Sequence, residues 1–268
     1  MDFPGADSDR RDADYVLVGA PLDRSTSFRP GARFGPDRVR QFARGFEDYD
    51  PRTGSHFTDL AVADASDEPP WADAEEYLDL LTGRLRDVRA DDAVPLLVGG
   101  EHTVSVAGVR AVEPDVFVAL DAHLDLRESL GGDPLSHSTV TRHALAVADR
   151  AVVLGARAGS EAEYDRASEA DVTVVPPDEV RDWSPSFDDV SVYLSVDIDA
   201  ADPGVAPGTG TPEPFGLSSR AMREVVRAVA PHADGFDCVE VNDRDDGQAA
   251  VLGAKLLREF VFAHAAGE

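Results

Sequence analysis

Apolar residues fall along this chain in short unbroken runs, each closed by polar residues and followed by a stretch with helical spacing. The runs at 15–20, 57–63, 94–98, 115–120, 151–156, 172–175, 190–196 and 235–241 predict strands. They are apolar at nearly every position rather than at alternate ones, as in strands covered on both faces of a parallel sheet. Between them, 36–46, 72–89, 103–112, 138–148, 160–170, 217–230 and 248–265 predict helices, with a short helical turn at 177–183. In 72–89 the apolar set is Tyr77, Leu80, Leu81, Leu85 and Val88, one side of a helix. Strand alternating with helix predicts an α/β fold whose ligands sit beyond the carboxyl ends of the strands. The Gly- and Pro-rich 25–36 segment and the Gly-rich 126–137 segment predict shaped loops. No internal repeat, low-complexity tract or linker interrupts the pattern, and residues 1–268 are expected to form one domain.

Composition narrows the class. A chain of 268 residues, 43% hydrophobic, can bury a substantial core and is not a disordered acidic tail. The formal net charge is −27, and Lys255 is the sole lysine, which argues against nucleic acid as a partner. The bulk charge fits a surface adapted to high salt, where counterions screen self-repulsion; attraction of a cationic substrate is the alternative. Cys238, the single cysteine, excludes an internal disulfide and reads as a small buried hydrophobe. No uncharged apolar run reaches the roughly 18 residues a membrane span needs, and the polar N-terminus carries no signal pattern. A cytoplasmic protein without membrane contact is expected.

The residues that close the runs carry the chemistry. Asp121, His123 and Asp125 follow the run at 115–120 at alternate positions, which share one face if strand geometry continues. Two carboxylates and an imidazole pointing one way are costly unless something positive sits among them, and a divalent metal is the first reading. Asp197 and Asp199 repeat the pattern after the run at 190–196. His102 follows the run at 94–98, and Glu240 lies in the last run. Singly, each has a plainer reading: an Asp at a strand end is usually a turn residue or cap, and Asp202, before Pro203, reads that way. Together, four Asp and two His suffice for two divalent ions with shared carboxylates. Such an oxygen-rich set favours Mn²⁺ over thiolate-preferring metals and performs hydrolysis.

With Gly99-Gly100-Glu101-His102, Asp121-Ala122-His123-Leu124-Asp125 and the 195–203 segment (SVDIDAADP) in this order, the chain resembles the ureohydrolases, the arginase and agmatinase family. The likeness extends to 27–36, Gly155-Ala156-Arg157 and 207–214. It implies a three-layer arginase/deacetylase-like α/β fold with an eight-stranded parallel sheet, two Mn²⁺ per subunit and a homo-oligomer, trimer or hexamer. One ion would take His102, Asp121, Asp125 and Asp197, and the other Asp121, His123, Asp197 and Asp199. The same resemblance implies hydrolytic attack on a planar guanidinium carbon, with Asp125 passing the proton to the leaving amine. His137 would assist proton transfer or position the substrate, and Glu240 would pair with the guanidinium. Two departures stand out: Glu101 replaces the commoner Asp at a position that is not a ligand, and Asp243-Arg244-Asp245-Asp246 stands where the family usually has Pro. Arg33 and Arg157 are open between substrate contacts and ion pairs that hold loops or subunits.

Arginases recognise the amino-acid end of arginine with an Asn- and Ser-bearing loop, and residues 126–136 contain no Asn. The likeness is closer to agmatinases, which implies agmatine hydrolysed to putrescine and urea, a step of polyamine biosynthesis. Glu128 or Asp133 are candidate partners for the far ammonium of this dication. The alternatives are guanidinobutyrase, guanidinopropionase, arginase or formimidoylglutamase activity, or a non-catalytic metal-binding member of the family. The deacetylase-type zinc hydrolases are related but do not normally carry the full motif set.

Overall fold

The computed structural model describes residues 1–70, 73–187 and 189–267. In chain order the elements are β1 (Tyr15–Ala20), α1 (Gly35–Ala43), β2 (Tyr49–Asp50), β3 (Ser55–His56), β4 (Val62–Asp67), α2 (Ala74–Ala90), β5 (Val94–Gly99) and α3 (Ser105–Val112). There follow β6 (Val116–Leu120), α4 (Val140–Ala144), β7 (Arg150–Leu154), α5 (Glu161–Ala167), β8 (Val172–Val175), β9 (Val192–Asp197), α6 (Ser219–Val229), β10 (Ala233–Val239) and α7 (Gln248–Ala266). Eight strands form one parallel sheet, as the apolar runs and the family resemblance predict; their order is β4-β1-β5-β10-β9-β6-β7-β8.

Period-two alternation divides the strand side chains between two cores. Val116, Val118 and Leu120 of β6 face the α1–α6–α7 side, with Val39, Val226 and Leu257. Phe117 and Ala119 face the α2–α3–α4 side, with Tyr77, Val109 and Val140. Helices thus cover both faces. α6 buries Met222, Val225, Val226 and Val229, one stripe at helical spacing, and starts on Ser218, whose hydroxyl accepts from the Ala221 N–H. Asp73 caps α2 in the same way by accepting from the Glu76 N–H. The helix start expected at Ala72 lies outside the described residues. Among the described residues, no helix is long and apolar enough to cross a membrane.

Local differences from the sequence reading have identifiable causes. The strand expected at 57–63 lies at Val62–Asp67, because Phe57 turns into the core against Phe3 and Phe262 and begins a 3₁₀ turn instead. Charged residues hid the true strand. Asp64 and Asp67 belong to it because Arg40, itself buried, bonds both carboxylates, with 2.7 Å from Nε to Asp64. The β2–β3 hairpin escaped notice, being two residues per strand. Helix expected over 138–148 shortens to α4, and 177–183 keeps only the 3₁₀ turn Val180–Asp182.

The four strands that carry the candidate ligands, β5, β10, β9 and β6, are neighbours at the middle of the sheet. Their register aligns the carboxyl ends: Val239 pairs with Asp197, and Leu120 with Val196. Residues just past these ends therefore emerge along one rim.

Candidate metal centre

At that rim the chain after β5 turns sharply through Gly99 and Gly100. A Cβ on Gly100 would stand 1.9 Å from the Leu22 carbonyl oxygen, so only glycine fits there. The turn delivers His102 into the cluster. Its Nδ1 lies 2.8 Å from Asp125 Oδ2, 3.1 Å from Asp121 Oδ2 and 3.5 Å from Asp197 Oδ2. His123 Nδ1 lies 3.0 Å from Asp199 Oδ2 and 3.6 Å from Asp121 Oδ1. All six sequence-predicted ligands converge, and all but the half-buried His123 are buried. Backbone amides hold the carboxylates in place: His123 N–H donates to Asp121, Asp199 N–H to Asp197, and Ala122 N–H to Asp199. Asp125 and Glu240 both take left-handed backbone, at φ 51° and 61°. Six non-glycine residues outside the cluster share this conformation, so it fixes the direction of these two carboxylates without by itself marking the site.

Two groups of donors have ligand atoms within 4.8 Å of one another: His102, Asp121 and Asp197, and Asp121, His123 and Asp199. Asp121 belongs to both. Three observations show that the residues fit a pair of cations. Asp121 Oδ2 is buried without a hydrogen bond. Four carboxylates surround two imidazoles, and one Nδ1–H cannot serve the three oxygens around it. Finally, His102 Nε2 lies 3.1 Å from Ser195 Oγ, whose own proton goes to Asp237 Oδ1 at 2.7 Å. Ser195 can then only accept, so Nε2 carries a proton, and Nδ1, facing the carboxylates, is the nitrogen that a cation would claim in place of its proton.

The electrostatics agree. Burial and the charge of Asp121 push the Asp125 carboxyl up to about 7. Burial, with Asp199 and Asp121, raises Asp197 well above the carboxylate range. Burial opposes charge on His123, but Asp199 and Asp121 outweigh it and push the imidazole up to about 12. The cluster holds more negative charge than its own imidazoles neutralise and takes protons to compensate, a demand that divalent cations would meet.

A cavity of about 340 Å³ opens onto the cluster, with His123 and Asp125 at its floor and Ser27, Arg127, His137 and Glu213 on its walls. His137 lines the same cavity. Glu240 sits deeper: its Oε1 accepts from the His102 N–H at 2.9 Å, and burial raises its carboxyl to about 8. Glu128 and Asp133, the expected partners of a far ammonium, do not line the cavity. Glu128 is 86% exposed beside Arg142, and Asp133 pairs with Arg24 at 2.7 Å. The sequence reading passed over Glu213, whose carboxylate makes no hydrogen bond or ion pair among the described residues, and over Arg127, which Glu163 neutralises at 3.3 Å. Neither stands in a ligand-type pattern, so no signal marked them. Asp202 is a turn former as read, accepting from the N–H groups of Gly204, Phe215 and Gly216. Arg33 reaches Asp23 at 3.2 Å. Arg157 binds backbone carbonyls at Gly155, Asp199, Ala200, Ala201, Glu213 and Pro214, which settles it as the holder of the 199–216 loop.

Fold and site together define an α/β protein with two overlapping, carboxylate-rich groups of candidate metal ligands at the carboxyl rim of a parallel sheet. The chain belongs to the arginase family, whose model matches residues 13–263. It is 35% identical over 264 residues to an agmatinase of Halalkalibacterium halodurans, covering 92% of this chain and 90% of that one. It is 34% identical over 269 residues to an agmatinase of Pyrococcus horikoshii, covering 96% and 93%. The crystal structure of the agmatine ureohydrolase of Thermoplasma volcanium superposes with a TM-score of 0.92 at 31% identity, covering 98% of this chain and 94% of that one.

Proposed function

We propose that the protein is a manganese-dependent agmatinase, hydrolysing agmatine to putrescine and urea. The observation that carries this reading is the cavity itself. It ends on a cluster suited to two divalent cations, and among the described residues its one wall carboxylate that makes no hydrogen bond or ion pair is Glu213, which feels the charge of Arg157 only at longer range. A dicationic guanidine satisfies both ends, whereas a carboxylate-tailed guanidine would meet Glu213 with like charge. The agmatinase names of the relatives support the same substrate.

His102, Asp121, Asp125 and Asp197 would hold one ion, and Asp121, His123, Asp197 and Asp199 the other. When bound, the pair would lower the pKa of water and neutralise charge developing on the substrate. The chain's own groups do the rest. Glu240 Oε1 is tied to the His102 N–H, which leaves Oε2 to orient the guanidinium. Asp125 Oδ2 would take the attacking water's proton and pass it to the leaving amine, and His137 would exchange protons with solvent at the cavity wall. A cytoplasmic setting belongs to the same reading.

Urea release from agmatine, arginine and guanidinobutyrate, measured with Mn²⁺ and with chelator, tests it. Urea from agmatine, abolished by chelation, is the expected result. Urea from arginine but not agmatine would overturn the substrate, and no urea from any of the three would overturn the enzyme.

A further inference from the structure

Glu101 is fully buried, is not a candidate ligand, and plays no part in the chemistry above. Four hydrogen bonds nevertheless converge on it. Oε2 accepts from the Arg24 N–H at 2.5 Å and the Ser25 N–H at 2.6 Å, and Oε1 accepts from Ser25 Oγ at 2.8 Å and Thr103 Oγ1 at 2.7 Å. The Ser25 hydroxyl in turn touches His137 twice: it accepts from the His137 N–H at 2.9 Å and lies 3.1 Å from the ring Nδ1.

Proton counting decides what the second contact is. A serine hydroxyl has one proton and two lone pairs, and a carboxylate accepts only. The Ser25 proton is committed to Glu101, so toward His137 Nδ1 the oxygen can only accept. The ring must therefore carry its proton on Nδ1. Its other nitrogen, Nε2, lies 3.3 Å from Ser27 Oγ on the cavity wall, and that hydroxyl is free to donate or accept, so it makes no choice of its own. We infer that Glu101, acting through Ser25, is a positioning residue that fixes His137 as the Nδ1–H tautomer and presents a basic Nε2 to the cavity. Burial lowers the His137 pKa, which keeps the ring neutral and the tautomer choice meaningful. The tautomer is independent of the function proposed above, while its effect on rate rests on that reading.

Glu101→Gln is the informative variant because it changes one atom. The Arg24 and Ser25 amides need an acceptor, so the glutamine oxygen takes the place of Oε2 and its NH₂ the place of Oε1. That group donates to Ser25, frees the hydroxyl proton to point at Nδ1, and turns His137 into the Nε2–H tautomer. Ring-nitrogen NMR on the full-length protein loaded with diamagnetic Mg²⁺, with His137→Gln to assign the resonance, reads the tautomer directly. The expected result is Nδ1–H in the parent and Nε2–H in Glu101→Gln, with kcat for urea release down about 100-fold and KM and metal content unchanged. An Nε2–H parent, or a tautomer unmoved in Glu101→Gln, overturns the inference. If Glu101→Gln does not fold, Ser25→Ala serves: loss of the Nδ1–H preference supports the inference and its retention overturns it. A tautomer that switches in a protein releasing no urea sustains the inference and defeats only the proposed function.

Discussion

Asp237 and His102 never touch, yet one hydroxyl joins them: Ser195 Oγ donates to Asp237 Oδ1 at 2.7 Å and stands 3.1 Å from His102 Nε2. Asp237 also accepts from the Tyr193 hydroxyl at 2.9 Å, so its position is fixed from two sides. Asp237→Asn offers an amide that can donate to Ser195, which would then turn its proton toward Nε2 and move the imidazole proton to Nδ1, the atom facing the carboxylates. Calorimetric titration with Mn²⁺ should show affinity reduced about 10- to 100-fold. Unchanged affinity would mean that the hydroxyl bridge is only packing.

Glu213 supplies the second prediction. If it meets the far ammonium, Glu213→Gln should raise KM for agmatine about tenfold and leave kcat in place, the pattern of a contact made equally in ground and transition states. A butylguanidine without the ammonium should not notice the change. Steady-state kinetics on both substrates decide it, and an unchanged KM for agmatine removes Glu213 from the substrate's path.

Arg157 makes six hydrogen bonds to six carbonyl oxygens, five of them in the 199–216 loop, at Asp199, Ala200, Ala201, Glu213 and Pro214. Arg157→Ala should lower unfolding free energy by about 3 kcal/mol, because several carbonyls lose a charged donor at once. Arg157→Lys should recover little, since an ammonium cannot reproduce the planar fork. Denaturant midpoints for the two variants measure this, and a lysine variant as stable as the parent contradicts it.

His264 gives stability a pH dependence away from the candidate metal centre. Its ring stacks on Phe260 with its Nδ1 2.8 Å from the Tyr15 hydroxyl, and burial lowers its pKa against the opposing charge of Asp234. The unfolded chain thus binds a proton that the folded chain refuses. This contribution leaves stability unaffected above the unfolded value of about 6.5 and erodes it as pH falls from there toward the folded pKa. His264→Gln should flatten the difference, by at most ~1.4 kcal/mol per pH unit, in denaturant titrations from pH 7.5 down to about 5. Parallel curves for the two proteins would show that His264 does not titrate in that window.

Much of this was legible in the sequence, for a physical reason. Strands buried on both faces leave unbroken apolar runs, and residues placed just past their ends inherit fixed positions, so the convergence of His102, Asp121, His123, Asp125, Asp197 and Asp199 on one rim follows from the pattern alone. What stayed hidden depended on partners distant in sequence. β4 contains Asp64 and Asp67, which read as loop until Arg40 is found between them. Glu101 sits beside the candidate ligand His102 and reads as a neutral replacement, because its contacts are to Ser25, 76 residues away. Glu213 lies in a loop whose path is set by carbonyl contacts to Arg157, and backbone carbonyls leave no trace in a sequence.

The order of strands across the sheet also has a consequence for biosynthesis. β10 is the last strand to leave the ribosome, yet it lies between β5 and β9. Until it is inserted, His102 and Asp197 stand on the rims of two sheet halves that no strand joins, so a nascent chain shorter than the end of β10 would lack the candidate group that needs both residues. If that group holds an ion, its capture would report that the C-terminal strand has been threaded home.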